Sequence, residues 1–170
     1  MNPKSKAEKI LVELHYDFRS FTIGHFIHWI GGLKERQIIS IPWKMPPGMF
    51  GAWFSDDVES NEYIFYRINA LPILQVHIQL HEVAHFLFGH PTVHINREKI
   101  AASIRNKTPL PFTELVLCRS TKKSAIETES EILASMIQEQ AIRHSHLDQL
   151  TSGISSDQNI ARYLNDLGMI

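Results

Sequence analysis

Two histidines four positions apart, with a glutamate directly after the first, dominate residues 81 to 85, which read His-Glu-Val-Ala-His. On an α-helix, positions i and i+4 lie about 40° apart on one face. His81 and His85 would then point to the same side and could hold one tetrahedral metal ion. Glu82, offset by about 100°, would lean over the open coordination position, where a carboxylate can take a proton from water. The pattern has chemical meaning only if the segment is helical. Its flanks predict that it is: Asn69 can cap the helix and Pro72 falls in its first turn. Gly89 and Pro91 stop it after about Phe88. Chance would place such a run in about 4 of 100 chains of this composition, so the flanks carry weight. The plain alternative is a pair of ordinary histidines on an amphipathic helix.

The rest of the chain predicts one α+β domain over residues 1–170, a length that suffices for a real core. Residues 5 to 30 read as N-terminal helix: Ile10, Leu11, Leu14 and Phe18 fall at helical spacing, and the apolar stretch from Phe21 continues to Gly31-Gly32. The core then runs over about 37–143. Residues 51–55 and 63–68 are aromatic and β-branched in places and flank the polar stretch 56–61, which predicts an antiparallel strand pair. The segment PWKMPPG before them reads as a loop, and so do residues 106–124. A strong helix follows over 124–143, with Ser124 and Glu127 at capping-box spacing. Residues 145–170 form a polar tail with a weak helix near 160–167. The fold expected is zincin-like: helix-rich, with a small antiparallel sheet packed beside the helix of residues 72–88.

Composition narrows the function. The formal net charge is −1, so no field of one sign argues for direct nucleic-acid binding. The single cysteine, Cys118, excludes an internal disulfide and reads as a core residue. The most apolar stretch, 71–88, carries His77, His81, Glu82 and His85 and is unsuited to a membrane span. The first residues have lysines but no apolar run or cleavage site. The expectation is a cytoplasmic protein with no membrane partner.

A third metal ligand is needed. A metzincin would have His at 91 and Gly at 88; Pro91 and Phe88 stand there instead. His90 could reach the site only if the helix breaks sharply after Gly89, and His94 is a weaker candidate. On the helix 124–143, the apolar stripe is taken as Ile126, Leu133, Met136 and Ile137. At 100° per residue Glu129 falls within it, while Glu127 and Glu131 fall on the polar side. A carboxylate on a buried stripe is costly unless paired or metal-bound, so Glu129 is the first candidate, with Glu131 and Glu127 behind it. Tyr63, Tyr66, His90 and His94 are candidates for steadying an oxyanion, each with a structural role as the simpler alternative. His77, one turn before His81, is a candidate neighbour of the site.

The stretch PPGMFGAWFSD, then YIFYRINALPILQVHIQLHEVAHFLFGH, then ETESEILASMI resembles the ImmA/IrrE family of bacterial and phage metallopeptidases over roughly residues 40 to 140. The resemblance implies His81 and His85 as zinc ligands, Glu82 as the base and Glu129 as the third ligand; manganese or iron could replace zinc in such a set. In the second motif Glu129 is followed by Ser130, Leu133-Ala134 stand for the family's Phe-Ala pair, and Gln138 lies where proline is usual. The resemblance further implies a cytoplasmic protease that cleaves a partner transcriptional repressor or antitoxin-like regulator. The competing expectation is a zinc-stabilised module that grips such a regulator without cutting it.

Overall fold

A computed structural model describes residues 1–106, 108–120, 123–145, 147–150 and 152. The weak helix expected near 160–167 lies outside the described residues. The elements in chain order are α1 (Pro3–Glu13), a short 3-10 turn (Phe18–Ser20), α2 (Ile23–Leu33), β1 (Gln37–Trp43), β2 (Gly51–Asp56), β3 (Asn61–Arg67), α3 (Pro72–Phe88), β4 (Val93–His94), α4 (Arg97–Asn106), α5 (Phe112–Arg119), α6 (Lys123–His144) and α7 (Leu147–Leu150). The fold is mixed α+β, as expected.

The N-terminal helix expected over 5–30 is two helices. Asn2 caps α1 by accepting the Ser5 N–H, and α1 stops at Glu13. His15 then takes a left-handed backbone (φ 47°), which turns the chain. Thr22 caps α2, and that helix runs through Gly31-Gly32 rather than ending there.

The sheet has four strands in the order β1-β3-β2-β4. The expected antiparallel pair is present, with Trp53 opposite Ile64 and Phe54 opposite Tyr63. The sheet as a whole is mixed, not antiparallel. Strand β1 runs parallel to β3 along its other edge, and the short β4 runs parallel to β2. The chain reverses between β1 and β2 and again between β2 and β3, so β1 and β3 run the same way.

Helices cover both faces of the sheet. Trp53 and Ile64 pack with α1, α2, α3 and α6, whereas Ala52, Phe54, Tyr63 and Phe65 pack with Ile95, Ile100, Leu110 and Leu115 from the segments of α4 and α5. Double coverage explains why β3 is buried along nearly its whole length instead of alternating. One buried carboxylate, Glu62, accepts hydrogen bonds from Trp53 Nε1 and Ser55 Oγ and pairs with Arg36. It ties the sheet to the residues that follow α2 and lies apart from the cleft described below.

Helix α3 is the centre of the fold. Val76, Leu80, Val83 and Ala84 are fully buried, and its polar Gln75, Gln79, Glu82 and His85 are buried too. A helix enclosed nearly all round sits between layers: the sheet lies on one side and α6 on the other. Leu71 precedes the first turn with no side-chain cap, so Asn69 does not fill that role. Pro72 begins the helix and Gly89 ends it at φ 66°. Among the described residues no helix is long and apolar enough to cross a membrane.

Candidate metal centre

The i, i+4 spacing on α3 puts the His81 and His85 rings on one face, which is turned toward α6. There Glu127 meets both. Its Oε2 lies 3.1 Å from His81 Nε2 and its Oε1 lies 3.7 Å from His85 Nε2. The two Nε2 atoms are 3.1 Å apart. These three residues could hold a metal ion, with ligand atoms all within 4.8 Å of one another. Bonds of about 2.0–2.1 Å in a tetrahedron put ligand atoms about 3.3 Å apart, and the three separations bracket that value. The donor set, two imidazoles and a carboxylate, is one that divalent metals accept.

Glu129, expected as the third ligand, stands outside this group. Its Oε2 lies 3.0 Å from His90 Nε2, and its other oxygen pairs with Lys6 of α1. The reason lies in how α6 is covered. Its fully enclosed positions include Ser130, Leu133, Ala134, Ile137 and Ala141, with Ile126 nearly so, while Met136 is only half-buried. At 100° per residue the centre of that set is turned about 50° toward Glu127 relative to a stripe drawn through Ile126, Leu133, Met136 and Ile137. Glu127 and Glu129 therefore flank the true stripe, one on the α3 edge and one on the α1 edge. The small residues Ser130, Ala134 and Ala141 were the signal: they mark where the helix comes closest to its neighbours.

The third glutamate of α6 also serves the site. Glu131 Oε2 lies 3.2 Å from His81 Nδ1. A carboxylate only accepts, so Glu131 is placed to take a hydrogen bond from His81 Nδ1–H whenever Nε2 serves as a ligand; without a metal, Nε2–H has the Glu127 carboxylate as its own acceptor. His77, one turn earlier, bridges Glu131 and Gln138, which makes it a neighbour of the site as its spacing suggested.

Electrostatics follow this geometry. Hydrogen bonds to His81 and then His85 hold the Glu127 carboxyl far below the usual carboxylate range. Burial opposes protonation of His81, but Glu127, Glu82 and Glu131 together outweigh it and raise its pKa. His85 is lowered, with burial the main cause. The centre thus concentrates negative charge beside a buried, neutral imidazole, the state a metal ligand requires.

Glu82 sits at the floor of a cavity of about 530 Å³ that also takes in His81, Glu127, Glu131 and Arg119. It is only 4% exposed. One side of it presses on β2: a Cβ at Gly51 would come within 2.8 Å of Glu82 Oε1 and 2.7 Å of an Ile78 methyl. Only glycine lets the strand approach the helix this closely. On the other side Arg119 Nη1 lies 3.7 Å from Oε2. Among the described residues, Glu82 Oε2 and Arg119 Nη2 have no hydrogen-bond partner. Arg119 is held by donating from Nε to the Pro91 carbonyl and by lying over the Trp53 ring.

Arg119 was not legible in the sequence. It ends α5, which forms inside the stretch expected to be loop, where Leu115 and Leu110 join the core on the far side of the sheet. The spacing Leu115–Arg119, an apolar residue and a cation one helical turn apart, is the signal available. Tyr63 and Tyr66, candidates for steadying an oxyanion, are buried in the sheet and do not line the cavity. His94 pairs with Asp57 at 3.0 Å and lies outside the cavity as well. Cys118 is half-buried, packs against the second core cluster, and its thiol is pushed up by burial, as expected for an inert core residue.

No family model matches this chain, and neither a curated protein nor a solved structure does.

Proposed function

We propose that the chain is a zinc-dependent metalloendopeptidase of zincin-like architecture, with His81, His85 and Glu127 as ligands and Glu82 as the general base. Its substrate is a partner regulatory protein, repressor- or antitoxin-like, as the family resemblance implies. Bound zinc supplies Lewis acidity and lowers the pKa of a water to about 7 in catalytic sites. Glu82 takes a proton from the attacking water, which adds its oxygen to the scissile carbonyl carbon. Glu82 then hands that proton to the amine as the C–N bond breaks. The buried position of Glu82 excludes bulk water around the carboxylate and strengthens its electrostatic interactions.

The observation that carries this reading is the position of Glu82, buried in a cleft with one carboxylate oxygen that meets Arg119 only at ion-pair distance and has no hydrogen-bond partner among the described residues, between His81 and His85 of the group that Glu127 of α6 completes. A site that only stabilised the fold would have no need of a base beside its ligands. The outer edge of β2 supports an extended substrate. Strand β4 pairs only with Phe54 and Ser55, which leaves Gly51, beside Glu82, outside that ladder. A peptide added there would lie across the cleft.

The test presents the zinc-loaded protein with candidate repressor- and antitoxin-like regulators and with a mixed peptide library, and reads new termini by mass spectrometry. The expected result is a set of cuts that disappears on chelation and returns when zinc is restored. Identical termini with and without zinc would contradict the reading. Tight regulator binding with no cuts would leave the non-cleaving module in its place.

A further inference from the structure

Four side chains, from α3, the loop that follows it, α6 and α1, form an unbroken line behind the metal centre. His85 Nδ1 lies 2.9 Å from His90 Nδ1, His90 Nε2 lies 3.0 Å from Glu129 Oε2, and Glu129 Oε1 meets Lys6 Nζ. The chemistry of the carboxylate sets the direction of the whole line. Glu129 can only accept, so His90 donates to it through Nε2–H. The lone pair of a neutral His90 is then on Nδ1. That nitrogen accepts from His85 Nδ1–H, and the His85 lone pair is left on Nε2, the atom that faces His81 and Glu127. Ser130 Oγ lies 3.3 Å from the same nitrogen of His90, Nδ1. His90 itself is held flat against Phe88, with ring centroids 5.2 Å apart and planes 11° from parallel.

We propose that His90, Glu129 and Lys6 are positioning residues that fix the tautomer and orientation of His85 as a metal ligand. This inference rests on the metal-centre reading above and adds to it. It assigns to His90 and Glu129 a function other than ligation. It also makes α1 part of the site, since Lys6 anchors the far end of the line. His81 needs no such line, because Glu131 meets its Nδ1 directly. His85 is fully buried, and no carboxylate lies against its Nδ1 among the described residues. His90 bridges the distance between them.

The test compares wild type with Glu129→Met and His90→Leu, and uses Glu127→Ala as the ligand control. Zinc alone is the probe, titrated against a chromophoric chelator. Loss of a supporting partner weakens metal binding by about 10–100-fold, and that is the effect expected for both positioning variants, with a larger loss in Glu127→Ala. Long-range proton–nitrogen NMR of the metal-free proteins is read alongside. Wild-type His85 should be a single tautomer protonated at Nδ1, and the variants should show a mixture, which a merely structural role would not produce. If His90→Leu fails to fold, Lys6→Met answers in its place, since that side chain is 46% exposed and outside the core, and its zinc affinity should shift in the same direction.

Unchanged zinc affinity and an unchanged His85 tautomer would overturn the proposal. A loss in Glu129→Met as complete as in Glu127→Ala would also overturn it, by making Glu129 a ligand. Failure of wild type to bind zinc would refute the metal-centre reading instead, and the tautomer spectra would still decide the positioning line.

Discussion

Glu127→Ala is expected to yield a folded protein that no longer retains one equivalent of metal. Glu127 projects from the edge of α6 and is half-exposed, so its loss opens no cavity in the core. Its carboxylate is the only acidic group that reaches both His81 Nε2 and His85 Nε2 among the described residues. Without it, two imidazoles remain where catalytic zinc sites ordinarily supply three protein ligands. The affinity loss should exceed the ~10–100-fold cost of disturbing a supporting hydrogen bond. Metal analysis after dialysis, with Glu129→Ala beside it, reads the difference. Glu127→Ala should come through empty and Glu129→Ala should remain loaded at saturating zinc. The reverse order would restore Glu129 as the ligand and undo the assignment of the centre.

Glu82→Gln should remove cleavage while leaving metal and fold in place. The amide has the shape of the carboxylate, so it still fits between Gly51 and Arg119. It cannot accept the proton from water. General-base catalysis contributes about 10²–10⁴-fold, and a loss of that size or greater in kcat/KM is the expected outcome, measured on whichever substrate wild type cuts. Zinc content should match wild type, because Glu82 is not in the ligand group. A variant that cuts at the wild-type rate would mean the proton goes elsewhere. A variant that loses zinc as well would mean Glu82 supports the metal rather than the reaction.

Much of this arrangement is readable from residue order, and the failures have physical causes. Helix α3 was legible from its ends, because Pro72 and Gly89 act through backbone geometry that tertiary contacts do not override. The β2–β3 pair was legible because its partners are neighbours in sequence. Strand β1 pairs with β3 although β2 separates them in sequence, and β4 has two residues, so neither pairing leaves a local pattern. Helix α5 is eight residues between proline-rich and polar segments, too short for its periodicity to stand out. The metal centre divided along the same line. His81, Glu82 and His85 share one helix and one register. The choice among Glu127, Glu129 and Glu131 depended on which flank of α6 faces α3, which a helix wedged between two others does not announce by its large apolar residues alone. His90 and Glu129 were legible as candidates, but as metal ligands; that Glu129 stands outside the ligand group and meets His90 instead depends on the same packing of α6.

The central claim is that one metal ion sits between α3 and α6. X-ray diffraction from crystals grown with zinc, collected on both sides of the zinc absorption edge, locates that ion without reference to activity. The account predicts a single anomalous peak within bonding distance of His81 Nε2, His85 Nε2 and a Glu127 oxygen. A peak against His90 and Glu129, or none at full zinc saturation, would contradict it.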